Sequence, residues 1–303
     1  MIKQRKDTAM KYKAFSIRNI TNMHVGTGDT TFGVVDKLVQ RDPITEYPII
    51  YSSSLKGALR EYYEKQEFKD KELKDKELFK DKDERKYEKF VQYVFGGKEN
   101  DKGSTSPGNY RFFAANLLAI PVRSNKKPYF MATTPNLLKD FLNTLKNLKI
   151  INKDNENNNV DLQKIKKLSE ISPDKTKVLI KENIETKIEE WDSKENQDIP
   201  EKIEFLGSNI ALFSQDNFKE FIKSLPVIAR NNLENGKSTN LWYEEIVPRE
   251  SRFYFIVGFG QKYEDEFKKK LEAGNVQIGG NASIGYGFTK IEEINTANGG
   301  NNG

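Results

Sequence analysis

The sequence predicts an α+β fold. Two observations carry that prediction: extended and helical patterns alternate irregularly along the chain, and long charged stretches separate the apolar segments. Neither feature suits the strict strand–helix alternation of a doubly wound parallel sheet. A third observation bounds the core. Hydrophobic residues make up 36% of 303 residues, below the roughly 45–50% of an ordinary soluble domain, so some segments must stay largely solvated.

The elements follow in order. Residues 11–22 read as a buried strand, with Tyr12, Ala14 and Ile17 mixed with Phe15 and Ile20. Gly26, Gly28 and Gly33 mark a loop, a short extended run covers Gly33 to Gln40, and Arg41-Asp42-Pro43 makes a turn. Tyr47 to Tyr51 is extended, because Pro48 biases its predecessor away from helix. Leu55, Ala58, Leu59, Tyr62 and Tyr63 then recur at helical spacing, behind a serine N-cap drawn from Ser52-Ser53-Ser54 and with Lys56 in the first turn. Residues 61–90 hold 21 charged side chains, ten basic and eleven acidic, which reads as a solvated helix or an insertion of about 64–90 rather than a nucleic-acid tail.

Apolar sequence resumes at Val91, is broken by a polar loop at 96–109, and gives a strand within Arg111 to Val122. Thr134-Pro135 opens a helix through Leu137, Leu138, Phe141 and Leu145. Residues 146–200 read as a second insertion with some regular structure. Short apolar runs occupy 203–230, Asn235-Gly236 signals a hairpin turn, Arg252 to Gly260 is a strand, and a Gly-rich segment at 275–290 closes on another. The organisation expected is a flexible arm at 1–10, one domain at 11–294, and a disordered tail at 295–303.

Composition narrows the chemistry. Fifty basic against forty-five acidic residues give +5, and there is no Cys and a single His. Disulfides, thiolate metal sites, Cys nucleophiles and His clusters are excluded. No stretch has the roughly 20 apolar residues of a membrane span, and the first ten residues lack the apolar core of a signal peptide, so a soluble cytoplasmic protein is expected.

Four constellations could carry function. Gly26 and Gly28, beside His24 and ahead of Asp36, fit a tight turn or a close approach to phosphate. No phosphate-binding P-loop or dinucleotide fingerprint accompanies them, which disfavours a nucleotide-binding metabolic enzyme. Ser54, Lys56 and Arg60 stand at a helix start, where free N–H groups favour an anion. Gly57 within that helix costs roughly 1 kcal/mol of propensity, a cost that close backbone packing against a ligand or another element would offset. Gly279, Gly280, Asn281, Gly285 and Gly287 form a loop that can lie along a sugar-phosphate backbone or turn between strands. Trp242 and Tyr243 precede Glu244 and Glu245, which on a strand point to opposite faces, so one of them at most is expected to share a site with Asp36. Arginines such as Arg41 sit in the apolar segments while lysine dominates the insertions, an arrangement suited to bidentate phosphate contacts. Together these favour an extended phosphate polymer over a small cofactor.

The run His24 to Asp29, Gly33 to Arg41, Tyr47-Pro48-Ile49 and Ser53 to Arg60 resembles the amino-terminal signature of the RAMP superfamily, and more narrowly the backbone nuclease subunit of type III-B CRISPR effectors, the Cmr complex. The resemblance continues at Leu117 to Ser124, Trp242 to Pro248 and Gln277 to Gly287. It implies a ferredoxin-like, RRM-related palm with an inserted β-hairpin thumb, placed here at about 231–248. It implies copies of the chain stacked in a filament on a CRISPR RNA, beside other Cmr complex subunits, cutting a complementary target RNA at regular intervals. It carries the cleavage-critical aspartate to Asp36, the guide-phosphate lysine to Lys56 and the first-loop histidine to His24. The chain departs from the family at Ala114-Ala115, where Asp-Ala is usual; a polar contact is lost there, away from Asp36.

The residues are compatible with this chemistry. RNA brings its own nucleophile, the 2′-OH, and attack by it leaves a 2′,3′-cyclic phosphate and a 5′-OH. Asp36 could orient or deprotonate that hydroxyl, or hold a divalent cation, Mg²⁺ or Mn²⁺, through oxygen. His24 could serve as acid or base or as a structural hydrogen-bonding group. The other reading of the resemblance is a non-catalytic RNA-binding scaffold of a related type III complex; Asp36 in its motif separates the two.

Overall fold

The computed structural model describes residues 10–28, 35–73, 84–97, 106–124, 127–171, 200 and 202–296. The amino-terminal arm up to residue 9, Asp29 and Gly33 of the glycine motif, most of the tail, and residues 74–83 and 172–199 of the two insertions lie outside them.

The heart of the molecule is a mixed, mostly antiparallel sheet. Strands β1 (Lys11–Asn19), β2 (Ile49–Ile50), β3 (Arg111–Phe112), β4 (Ala115–Val122), β5 (Phe130–Thr133), β8 (Ile210–Leu212), β11 (Arg252–Phe259), β12 (Asn275–Gln277) and β13 (Phe288–Glu293) form it, in the order β12-β13-β1-β11-β4-β5-β8, with β2 on β4 and β3 on β11. Its middle four strands read β13-β1-β11-β4. Helices α1 (Ser52–Leu73) and α2 (Glu84–Phe95) link β1 to β4, and α7 (Glu264–Glu272) lies between β11 and β13. Numbered by their place in a β-α-β-β-α-β unit, these strands stand 4-1-3-2, the split arrangement of the ferredoxin-like fold. The structure therefore agrees with the expected α+β palm.

The sequence explains why the sheet is covered on both faces. β11 is buried at every position. Phe253, Phe255, Val257 and Phe259 join Phe15 and Ile17 of β1 under Leu55, Leu59 and Tyr63 of α1, Phe90 and Phe95 of α2, and Phe267 of α7. Three tyrosines in this layer satisfy their hydroxyls on main-chain carbonyls: Tyr62 on Lys270, Tyr63 on Phe267 and Tyr87 on Tyr63, as buried phenols must. Tyr254 and Ile256 face the other way, into a second layer under α3 (Pro135–Asn147) and α5 (Val160–Glu170). Thr134 caps α3, accepting from the Leu137 N–H with Pro135 in its first turn, as the Thr-Pro pair predicts. The short helix α4 (Lys153–Asn158) precedes α5, which Asn159 caps.

Two helical regions differ from the sequence reading. Helix α1 begins at Ser52, so the three serines fill its first turn and none caps it; the Leu55 N–H bonds to the Tyr51 carbonyl. Lys56 consequently lies in the second turn. The segment read as an insertion from residue 146 onward is partly structural, because Leu162, Ile165 and Leu168 of α5 are buried against α3.

The remaining elements are β6 (Lys202–Ile203) with β7 (Gly207–Ser208), helix α6 (Gln215–Lys223), and a hairpin of β9 (Val227–Glu234) and β10 (Lys237–Glu245). The hairpin starts four residues before the 231 expected. Its turn is Asn235-Gly236, with φ of 50° and 78°, the two positive values that make Asn-Gly the favoured two-residue connection.

Since Ile165 is fully buried between α5 and α3, Ile165→Ala should lower the unfolding free energy by about 2–4 kcal/mol. Urea unfolding followed by circular dichroism measures it; a loss under ~0.5 kcal/mol would mean that α5 is dispensable.

Candidate nucleic-acid interface

With both sheet faces covered, bases cannot stack on the sheet as they do on an open RRM surface. Candidate contacts collect instead in the loops beyond one end of β1 and β11. There the chain after β1 runs through Met23 and Gly26, which bridge to Val247 and Val39 respectively, and Lys37 bridges to Glu244 at the base of the hairpin.

Gln40 fastens these loops to α1. Its amide donates to the Gly26 carbonyl at 3.1 Å and to Ser54 Oγ at 2.9 Å, and its Oε1 accepts the Tyr51 N–H at 2.8 Å. Beside it, Gly26, Ser54, Ala58, Gly279 and Gly280 line a cleft of about 330 Å³. Three of the constellations singled out in the sequence thus converge on one cleft. Gln40 was legible there only as a member of a motif; its double amide contact needs the fold to be seen.

The glycines divide by cause. A Cβ at Gly279 would collide with the His24 carbonyl oxygen, and one at Gly287 with the Ile278 carbonyl oxygen, and both residues have φ in the left-handed region. These two are required by internal packing. Gly28, Gly57 and Gly285 have open space around them, so among the described residues no second element packs on Gly57. Lys56 makes no hydrogen bond or ion pair among the described residues, whereas Arg60 pairs with Glu64 at 3.0 Å. Positions two apart on a helix face away from each other. Ser54 therefore lies on the cleft side of α1, and Lys56 with Arg60 on the opposite flank.

Glu244 is the hub of the interface. It is 1% exposed. Its Oε1 accepts from Trp242 Nε1 at 2.9 Å and Lys37 Nζ at 3.3 Å; its Oε2 accepts from Asn281 Nδ2 at 2.9 Å and Arg230 Nε at 3.1 Å. Lys37 also sits over the Trp242 ring at 5.1 Å, and Arg230 over that of Tyr286 at 4.4 Å. One carboxylate thereby joins both hairpin strands, the segment after Asp36 and the Gly-rich loop. Burial opposes its ionisation, but the donors from Trp242, Arg230 and Lys37 outweigh that and hold the carboxyl below its ordinary value.

Glu245 has separate partners, the Val39 N–H at 3.0 Å and the Arg41 guanidinium. Arg41 also donates to the Glu46 and Ile222 carbonyls, so it fastens protein to protein. The two glutamates diverge, as strand alternation predicts, and each has its own internal partners. His24 is buried; its Nδ1 lies 2.7 Å from the Glu245 carbonyl, which can only accept, so Nδ1 carries the proton and Nε2 faces Gly26. Its own carbonyl accepts the Gly280 N–H. These contacts place His24, Glu244, Glu245, Arg41 and Asn281 in the framework of the interface.

Asp36 is different. Its N–H donates to the Tyr243 carbonyl at 3.1 Å, and its Oδ2 accepts the Tyr243 N–H at 2.7 Å. Oδ1 has no partner among the described residues. A half-buried carboxylate is thus pinned to the hairpin edge with one oxygen unengaged by the described residues. Among the described residues no group of three or more His, Asp or Glu could hold a metal ion. A hard cation at Asp36 would take the rest of its roughly six oxygen ligands from RNA and water.

Breaking the hub should be costly. Glu244→Ala leaves the largely buried Arg230 guanidinium without its carboxylate and should remove about 3–5 kcal/mol of stability. Because the folded pKa lies below the ordinary 4.5, the stabilisation is complete above about pH 4.5 and is lost as pH falls through the folded value. Unfolding curves of wild type and Glu244→Gln should therefore differ most near neutrality and converge in acid. A gap that stays constant down to about pH 3 would contradict the hub.

The RAMP superfamily model matches residues 16–290. The CRISPR system Cmr endoribonuclease Cmr4 of Pyrococcus furiosus is 28% identical over 314 residues, covering 96% of this chain and 99% of that one. The CRISPR system CMR subunit Cmr4 of Saccharolobus solfataricus is 26% identical over 321 residues, covering 93% and 96%. Among solved structures, a chain of the type III-B Cmr-beta complex bound to cognate target RNA superposes with a TM-score of 0.66 at 26% identity, covering 93% of this chain and 97% of that one. Among the described residues no helix is long and apolar enough to cross a membrane. With a family match running from within β1 into β13, around a 4-1-3-2 palm whose loops gather at one end, this chain belongs to the RAMP superfamily.

Proposed function

We propose that this chain is the backbone subunit of a type III-B Cmr effector, binding CRISPR RNA alongside further copies of itself and other Cmr subunits, and cleaving the complementary target RNA. Full-length similarity to a Cmr endoribonuclease and to a chain of a target-bound Cmr complex supports this. The observation that carries the catalytic part is Asp36: among the described residues it alone of the candidate catalytic carboxylates keeps an unengaged oxygen, while Glu244 and Glu245 are both internally bonded.

In the reaction proposed, the target's 2′-oxygen attacks the adjacent phosphorus. The 2′-O–P bond forms, the P–O5′ bond breaks, and Asp36 orients the 2′-OH and accepts its proton. The 5′-oxygen leaves and takes a proton from solvent, giving a 2′,3′-cyclic phosphate and a 5′-OH. Where Asp36 instead holds a Mg²⁺ or Mn²⁺ ion, the ion would neutralise charge building on the phosphate. Guide RNA lies against the start of α1, where the first-turn N–H groups and Lys56 meet phosphate.

Lys56→Ala should weaken RNA binding across sequences and flatten its salt dependence by about one phosphate contact; titrations at several salt concentrations test this, and an unchanged slope would remove Lys56 from the interface.

Asp36→Ala should slow target cutting by about 10² to 10⁴ in the assembled complex while target binding persists, since a carboxylate repels phosphate. A single 2′-deoxy substitution just 5′ of one scissile phosphate should block that cut alone. Undiminished cutting by Asp36→Ala would leave the scaffold reading instead.

A further inference from the structure

The thumb hairpin has two unlike faces. Trp242 and Glu244 of β10 turn, with Arg230 of β9, toward Lys37, Asn281 and Tyr286. Alternation then puts Leu241 and Tyr243 on the opposite face, where the register sets Ala229 directly across from Tyr243 and Val227 at the base. Leu241, Tyr243 and Val227 are 54%, 40% and 43% exposed. The Tyr243 ring stacks on nothing, and its hydroxyl has no partner, among the described residues. In a chain this poor in apolar residues, a contiguous exposed apolar face marks a binding surface.

Its position identifies the occupant. Tyr243 is the residue whose main-chain N–H and carbonyl hold Asp36. The ring therefore belongs to the same residue that pins Asp36. Given the nuclease function proposed above, the group that must lie there is the target nucleotide whose 2′-OH attacks. Nucleobases stack on aromatic rings without regard to sequence, which suits an enzyme whose targets are set by a guide.

We propose that Tyr243 is a positioning residue for cleavage: its ring, extended by Leu241, seats the base of the nucleotide 5′ of the scissile phosphate. Holding that base fixes the sugar, and so aims the 2′-OH at phosphorus beside Asp36. The ring carries this role and the hydroxyl does not. Asp36 is held by the Tyr243 main chain, so replacing the side chain leaves the Asp36 contacts in place.

The test is single-turnover cleavage by the assembled complex at saturating target. Tyr243→Ala should slow cutting by about 10- to 100-fold with little change in target affinity, and Tyr243→Phe should cut within about threefold of wild type. An abasic nucleotide 5′ of one scissile phosphate should slow that cut in wild type by a factor similar to that of Tyr243→Ala, and should add little in the variant. Wild-type rates in Tyr243→Ala, or independent losses from the abasic site and the variant, would overturn the proposal while leaving the nuclease intact. So would a change in the size of the RNA-free assembly on Tyr243→Ala with normal cutting, which would make the face a contact between copies. A wild-type complex that leaves the target whole would overturn the nuclease function itself, and this role with it.

Discussion

The interface depends on the buried carboxylate of Glu244. The strands of the palm would form without it, because their pairing is main-chain and their packing apolar. The loops beyond the sheet have no comparable core. Glu244 supplies one in polar form, drawing Trp242, Arg230, Lys37 and Asn281 onto two oxygens. A hydrophobic residue there could join the same elements, but it could not choose among them: four donors arriving from different chain segments fix the direction of each. Lys37 is fixed in this way, and Asp36 is its neighbour.

Why the carboxylate proposed for catalysis should depend on loops at all follows from the palm. The ferredoxin-like sheet offers two broad faces, and this chain covers both, one with α1, α2 and α7 and the other with α3 and α5. Most side chains on the central strands β11 and β4 are therefore committed to packing. Asp36 lies instead at the rim where β1 leaves the sheet and the hairpin returns to it. A short residue held on a strand edge by two hydrogen bonds to one residue's main chain, as Asp36 is by Tyr243, is placed far more firmly than one on a free loop.

Legibility in the sequence followed physical scale. Local signals were read correctly: the helical spacing of Leu55 to Tyr63, the Thr134-Pro135 helix start, the Asn235-Gly236 turn. The α+β class was visible in the irregular order of elements. The strand order was not, because pairing β1 between β11 and β13 joins residues more than two hundred positions apart. In the site, the residue types were visible and their assignments were not. Arg41 suits a phosphate as well as it suits Glu245, and nothing local tells the two apart. The Gly279–Gly287 loop suits a sugar-phosphate backbone and a turn between strands alike, and collisions with the His24 and Ile278 carbonyls claim two of its glycines for packing. Sparse Ile and Leu within a charged stretch looked like insertion; three of them share one face of α5, and that face is buried.

The two flanks of α1 add a constraint on how a nucleic acid can lie. Ser54 faces the glycine cleft, and Lys56 with Arg60 lies on the far side of the helix. A strand touching both must pass across the helix start, over Ser52 and Ser53, which are exposed. That path meets the unpaired first-turn N–H groups and the positive end of the helix dipole. It also passes the open flank of Gly57, where any side chain would stand between the backbone and the strand. A Gly in the second turn of a long helix weakens that helix, and no contact within the described protein compensates for it. In the RNA-binding role proposed above, a phosphate backbone that bends over the helix start would use the N–H groups, the bare glycine and the flanking lysine together.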